Sequence, residues 1–359
     1  MRVLICNHAL RNHAGSEIHC CELAEHLIAN GHSVTAASFY IGEPIAGELE
    51  RIGAEIVPLD SGRLAPEWDL IWRHHVTCFA EVHARQRLKA RRHVHGLLSS
   101  VLPLERVPLL AAVAIDKSHF TLLANAPLTA NVAKPLVANG VRINLLWNLA
   151  PAVWQVADGR RRERLEKIAV VSTHPPPELL ELEHVAGRRG VQLQFFGNRG
   201  DNTVRITPDV RAPFHAVITI GKTVQYCLAA GIPVFVYDHF GGPGWLNRLN
   251  IEAAEHNNYA GKFTPRSRPT EMLWKELTAG FEEAIKFHLS RRKCAAGRYD
   301  IGGQLHRLRL LKVAREPLSL IKDHDDAAAH SIIAFSESTL SPSNPKNVLT
   351  KILRATRFH

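Results

Sequence analysis

Short apolar runs and helical stretches take turns along this chain, in two separate cycles, and that alternation limits its fold more than any other feature. Residues 2–7 and 33–39 are apolar runs of strand length. Between them lie a polar loop, HALRNHAGS, and a segment, 17–30, that sets Ile18, Cys21, Ala24 and Ile28 on one helical face before Asn30-Gly31 stops it. A strand, loop, helix, strand order makes successive strands parallel, with helices covering the sheet. Further strand candidates are 55–59, 69–73, 93–98, 111–115 and 142–147. A break follows at 150–164, with Pro151, the turn pair Asp158-Gly159 and three consecutive arginines. The cycle then restarts with strands 167–172, 191–196, 215–220 and 232–237 and helices 178–186 and 223–230. The expected fold class is therefore α/β, with two Rossmann-like doubly wound domains facing across a cleft. The expected division is a first domain over 1–150, a linker over 151–166 and a second domain over 167–322. Residues 323–359 would form a polar, mobile connection and a basic terminal helix.

Composition bounds the partners. The 359 residues carry a formal net charge of +10, which favours anionic ligands. The basic residues are scattered in short knots with no aromatic interleaving, so nucleic acid is not expected. Six cysteines at 6, 20, 21, 78, 227 and 294 show no C-x-x-C spacing and read as buried, reduced thiols of a cytoplasmic protein. The opening residues do not read as a signal peptide, and no apolar run has membrane-spanning length. At the other end Val348, Leu349, Ile352 and Leu353 alternate with basic residues over 346–357. That amphipathic helix is expected to dock either on the protein or peripherally on an acidic membrane.

Open α/β sheets bind ligands at the carboxyl ends of their strands, so the loops there come first. Gly15 follows the first strand and precedes a helix, where free amides suit an anion, although an ordinary βα turn would look the same. In the second cycle ITIGKT, 218–223, runs from strand to helix. Gly221 permits close backbone approach to a ligand, Lys222 adds charge and Thr223 offers a hydroxyl and a cap. The next strand ends in YDHFGGPGWL, 237–246. Asp238 there suits sugar or ribose hydroxyls, and His239 shares the loop. Gly241, Gly242 and Gly244 let it fold tightly or lie against a ligand. His93-x-His95 share one strand face but lack a third ligand, so no metal site is expected. Asp323-His-Asp325 formally matches a metal–nucleotide motif but lies in the polar tail.

Taken together, MRVLICNHALRNHAGSEIHCCELAEHLIANGHSVTA, Leu145-Leu-Trp-Asn148 and FHAVITIGKTVQYCLAAGIPVFVYDHFGGPGWL resemble a GT-B glycosyltransferase of the retaining family that includes many bacterial polysaccharide and lipopolysaccharide enzymes. The resemblance covers most of 1–260. It implies that Gly15 approaches donor phosphates, that His95 is the cleft histidine near the transferred sugar, and that Gly221 and Thr223 open the diphosphate-binding helix. One departure stands out. The Glu-x7-Glu pair of many members reads Ile218 and Tyr226 here, so either the donor is held differently, for instance through Asp238, or catalysis is lost. The implied function is transfer of a sugar from a nucleoside-diphosphate sugar to a glycan or lipid-linked acceptor, without cofactor or metal. The alternatives are a non-catalytic binding or scaffold protein and a nucleotide-sugar epimerase on the same architecture.

Overall fold

The computed structural model describes residues 1–105, 119–137, 141–155, 164–197, 204–264, 267–321 and 326–340. The expected strand at 111–115, the Asp323-His-Asp325 motif and the basic segment 346–357 lie outside the described residues, as does 156–163 of the expected linker. The chain forms two compact units, one of Met1–Leu146 with Leu305–His359, the other of Trp147–Gln304.

In the first unit β1 (Arg2–Leu10) leads to α1 (Gly15–Ala29), β2 (Ser33–Ile41), α2 (Ile45–Arg51), β3 (Glu55–Pro58) and β4 (Glu67–His74). A single helical turn, α3 (Val76–Phe79), runs into a π-helical turn, Ala80–Arg85; then come β5 (Lys89–Leu97), β6 (Phe120–Ala124), α4 (Pro127–Ala133) and β7 (Ile143–Leu145). The sheet is parallel throughout, in the order β3-β2-β1-β4-β5-β6-β7. Its order reverses between β1 and β4, which is where a doubly wound sheet opens a crevice. β1 is central and covered on both sides, and its residues Val3–Cys6 are apolar on both faces. It continues past Asn7, where the sequence suggests a loop, because Ala9 and Leu10 pair with Tyr40 and Ile41 of β2.

The second unit contains β8 (Lys167–Val171), α5 (Pro177–Gly187), β9 (Gln192–Phe196), α6 (Pro208–Arg211), β10 (Ala216–Thr219), α7 (Lys222–Ala230) and β11 (Val234–Asp238). β12 (Gly241–Trp245), α8 (Ile251–His256), the 30-residue α9 (Thr270–Tyr299) and α10 (Ile301–Arg307) follow. The sheet order is β12-β11-β10-β8-β9, parallel except for the antiparallel hairpin β11–β12. Residues 147–155, placed by the sequence in the first domain and the linker, belong to this unit, and Trp154 packs on α7 by stacking on Tyr226.

From Leu305, within α10, the chain belongs to the first unit again. Leu318 bridges to Ala90 at the start of β5, and α11 (Asp326–Leu340) packs on the π-helical turn. Over 326–340 this corrects the expectation of a mobile connection. Ala328, Ala329, Ile332, Ser336 and Thr339 recur at helical spacing and form one buried face. With Leu320 and Ile321, the apolar members of that face complete a core built on Val76, Phe79, Leu97 and Leu122.

Candidate functional site

The carboxyl edge of each sheet gathers polar groups, and the two edges are taken in turn. In the second unit the strand order reverses between β8 and β10. Thr219 at the end of β10 donates its hydroxyl to the Val171 carbonyl of β8 at 2.9 Å, tying the two strands where the crevice begins. Ser172, Thr173 and His174 follow β8 on one side, with His174 and Thr173 exposed. On the other side Gly221 adopts φ 62°, ψ −133°, a conformation open to glycine alone, and turns the chain into α7. A Cβ built on Gly221 would meet nothing within 4 Å. The first amides of α7 have no partner inside the helix and carry the positive end of its dipole. Thr223 and Lys222 are half-buried beside them. The Lys222 ammonium turns back to donate to the Leu149 carbonyl at 2.8 Å and lies over the Tyr226 ring.

The opposite edge of this turn is held by the segment after α8. The Tyr259 carbonyl accepts from the Gly221 N–H at 3.3 Å. Two residues on, the Gly261 N–H donates to Asp238 Oδ2 at 3.1 Å. Asp238 Oδ1 accepts from the Phe240 N–H at 2.7 Å, so both carboxylate oxygens are engaged by backbone and the residue is 5% exposed. Asp238 thus fastens two loops together. His239 is exposed and its ring lies against Phe240, which also receives Lys262 over its face. Gly241 and Gly242 belong to the edge strand β12 instead of a ligand loop. A Cβ on Gly242 would stand 2.2 Å from the Val236 carbonyl oxygen, so glycine is what lets β12 close on β11. Of the predicted residues, Gly221, Lys222, Thr223, Asp238 and His239 lie at the carboxyl edge, while the glycines of β12 build the hairpin.

The two positions where the resemblance expects carboxylates are apolar or aromatic in fact. Ile218 is buried within β10. Tyr226 is buried and stacked face to face on Trp154, centroids 4.8 Å apart and planes 6° from parallel.

In the first unit Gly15 is exposed at the start of α1, with nothing within 4 Å of a built Cβ. The preceding loop is organised by Glu17, whose Oε2 accepts the N–H groups of Arg11 and Asn12 at 2.5 and 2.6 Å. Burial raises the Glu17 pKa, against the pull of those two amides. His95 points into the interior, 0% exposed, under the Phe79 ring. It shares that interior with Arg73, His83 and His93, and the Arg73 guanidinium lies over Phe79 and hydrogen-bonds the Val94 carbonyl. Burial holds His93 down to about 3 and His83 and His95 well below the ordinary imidazole range, with nearby Arg73 adding to each effect. On the other face His74 accepts from Trp72 Nε1 and therefore donates through Nδ1 to the Gly96 carbonyl at 3.0 Å, which fixes its tautomer.

Of the imidazoles at the edge itself, sequence reasoning passes over His8 and notes His75 only as part of a doublet after the 69–73 strand, either satisfied or at the cleft floor. His75 follows β4 with φ 66°, ψ 142°, strained for a residue with a Cβ. Its Nδ1 accepts from the His8 N–H at 3.3 Å and its Nε2 faces Glu105 Oε1 at 3.5 Å. The His8 ring bonds Thr77 Oγ1 at 3.0 Å through Nδ1, and burial lowers its pKa to about 3, helped by His75 and Arg11. A strand-end doublet, His74-His75, was the available signal, but the backbone strain that separates their roles leaves no trace in sequence. Among the described residues no three His, Cys, Asp or Glu side chains are grouped to hold a metal, and no helix is long and apolar enough to cross a membrane.

Two doubly wound α/β units of this kind define the GT-B architecture, and the chain has that fold. Among solved structures it is similar to Anabaena HepE in complex with UDP, at 13% identity over 86% of this chain and 98% of that one, with a TM-score of 0.54. The UDP-glucose complex of HepE matches at 14% identity, with the same coverage and TM-score. A glycosyltransferase from Rickettsia africae ESF-5 matches at 11% identity over 86% of this chain and 97% of that one, with a TM-score of 0.53. At such identities the likeness is one of fold. No protein-family model matches the sequence, and no curated protein matches it.

Proposed function

We propose that this chain is a glycosyltransferase that moves a sugar from a nucleoside-diphosphate sugar to a glycan or lipid-linked acceptor. The observation that carries the reading is the Gly221 turn: a glycine-only conformation at the switch point of the second sheet, facing open space and leading into a helix of nine residues. The first amides of α7 and the Thr223 hydroxyl would receive the diphosphate, with Ser172–His174 across the crevice. Charge builds on the diphosphate as the glycosidic bond to it breaks, and fixed amide dipoles oppose that charge without reorganising. In this reading no divalent metal takes part. HepE, of the same fold, has been solved with UDP and with UDP-glucose, which supports a uridine nucleotide as the first donor to test.

On the acceptor side the imidazoles at the carboxyl edge are His8 and His75, because His95, where the resemblance places the cleft histidine, is buried under Phe79. Single changes of each to Asn separate them: the one that meets the acceptor loses turnover and keeps donor binding. A non-catalytic sugar-nucleotide binding protein is the second reading, favoured by the buried Ile218 and the stacked Tyr226. A thermal-shift screen with UDP-, GDP-, dTDP- and ADP-sugars, then nucleotide release with an acceptor extract, decides between them. Binding with release supports transfer, binding without release supports the second reading, and an isomerised sugar formed without acceptor supports an epimerase. No shift with any nucleotide sugar refutes the proposal.

A further inference from the structure

Asn258 and Tyr259 follow one another with φ of 52° and 55°. Left-handed backbone is unfavourable for residues with a Cβ, and consecutive cases persist only where their surroundings over-determine them. Here they are pinned from three directions. Asn258 Oδ1 accepts from Asn148 Nδ2 at 2.8 Å, and the Tyr259 N–H donates to the Ala254 carbonyl at 2.7 Å. The buried Tyr259 hydroxyl lies 2.7 Å from the Tyr299 hydroxyl, which itself lies 2.6 Å from Glu255 Oε1. Tyr299 has one proton and gives it to Glu255, so Tyr259 is the donor to Tyr299. Arg298 holds the other Glu255 oxygen at 2.6 Å. A cavity of about 220 Å³ borders Glu255, Arg298 and Tyr299, so hydrogen bonds more than close packing set their geometry on that side. What this chain of bonds delivers is the Tyr259 carbonyl, aimed at the Gly221 N–H.

We propose that Tyr299, backed by Glu255, is a positioning residue for the donor site: through Tyr259 it fixes the peptide that holds Gly221, and so the direction of the first amides of α7. The proposal rests on reading the Gly221 turn as the diphosphate site. Tyr299 touches no substrate; it acts through two other residues.

Two variants of the full chain test it, Tyr299→Phe and the double variant Tyr259→Phe/Tyr299→Phe. The double variant keeps both rings and orphans neither hydroxyl; Glu255 loses its Tyr299 donor but keeps Arg298 and borders the cavity, so the fold should survive. Amide hydrogen exchange without ligand should quicken about 3- to 10-fold at 218–224 and 257–262 in both variants, with β8 and β9 unchanged. The donor KM should rise about 3- to 10-fold while kcat stays within about twofold. Wild-type exchange and KM in the double variant would show that the tyrosines only fill space and would overturn the proposal. So would unchanged exchange at 218–224 in Tyr299→Phe. The exchange measurement needs no nucleotide, so it decides the tyrosine link even if the wild type binds no donor, an outcome that would remove the donor reading instead.

Discussion

Acidification from pH 7.5 to 5.5 should unfold the first unit long before the second. His8, His74, His83, His93 and His95 are buried there, and burial holds each pKa below the ordinary 6.5, to about 3, 4 and 3 for His8, His74 and His93 and well below for the other two. The folded unit therefore excludes protons that the unfolded chain binds below pH 6.5. Stability from this source is complete above that pH and is lost as the pH falls. At pH 5.5 an unfolded imidazole is about ten-elevenths protonated, which is worth about 1.4 kcal/mol per group, or about 7 kcal/mol for five, provided each folded value lies well under 5.5. That is comparable to the whole stability of an ordinary domain. Glu17, whose pKa burial raises, works the other way, one group against five. The second unit has His288 as its buried counterpart, held down to about 4, and should lose only about 1.4 kcal/mol. Urea unfolding with pulses of a dipyridyl disulfide separates the units. Cys6, Cys20, Cys21 and Cys78 are buried reporters of the first, Cys227 of the second, and the exposed Cys294 is a labelling control. The midpoint for the first four thiols should drop steeply at pH 5.5 and that for Cys227 only slightly. Equal shifts, or none in the first unit, would refute the reasoning.

Gly221→Asp places a like charge against a diphosphate and should weaken nucleotide-sugar binding at least tenfold, about 1.4 kcal/mol, in a folded protein; calorimetric titration with UDP-glucose checks this. Gly96→Ala sets a Cβ 2.6 Å from His74 Cε1, breaks the bond that fixes that ring, and should cost about 1–3 kcal/mol in urea unfolding of the first unit. Gly242→Ala meets the Val236 carbonyl, which cannot swing away like a side chain, and should cost about 3 kcal/mol or more, read as lost soluble expression or a lowered Tm. Asp238→Asn turns one acceptor into a donor opposite an N–H and should cost about 1–3 kcal/mol in thermal unfolding of the second unit, whether or not donor is present.

Much of the scaffold was legible because buried parallel strands are continuous apolar runs, and those at 167–172 and 232–237 have no other reading. Strand β12 was not, because its sequence, GGPGW, has no strand preference; it pairs because glycine lets it close on β11. Alanine and serine between 326 and 340 read as linker by composition, although the spacing of 328, 332, 336 and 339 carried the helix. Sequence reading found the glycine-only turn at Gly221, whose part in binding a diphosphate is the proposal made above. It failed at Asp238, whose sequence position is right for a ligand but whose oxygens serve the backbone, and at His75, marked only by a dihedral angle. The period of 93 and 95 showed a shared face but not that it turns inward under Phe79.

The Ala150 N–H donates to the Tyr299 carbonyl at 2.8 Å, so the second unit enters and leaves the chain at neighbouring points and interrupts the first. On the ribosome this inverts the usual order of completion. The whole second unit emerges before Leu320, Ile321 and Ile332, which the first unit needs to cover Phe79, Leu97 and Leu122. At about 5–20 residues per second, the nearly 200 residues from 146 to 340 take roughly 10–40 s to synthesise. For that interval the earliest-made sheet waits with one apolar face bare, a natural client for a chaperone, while the later-made unit can already fold.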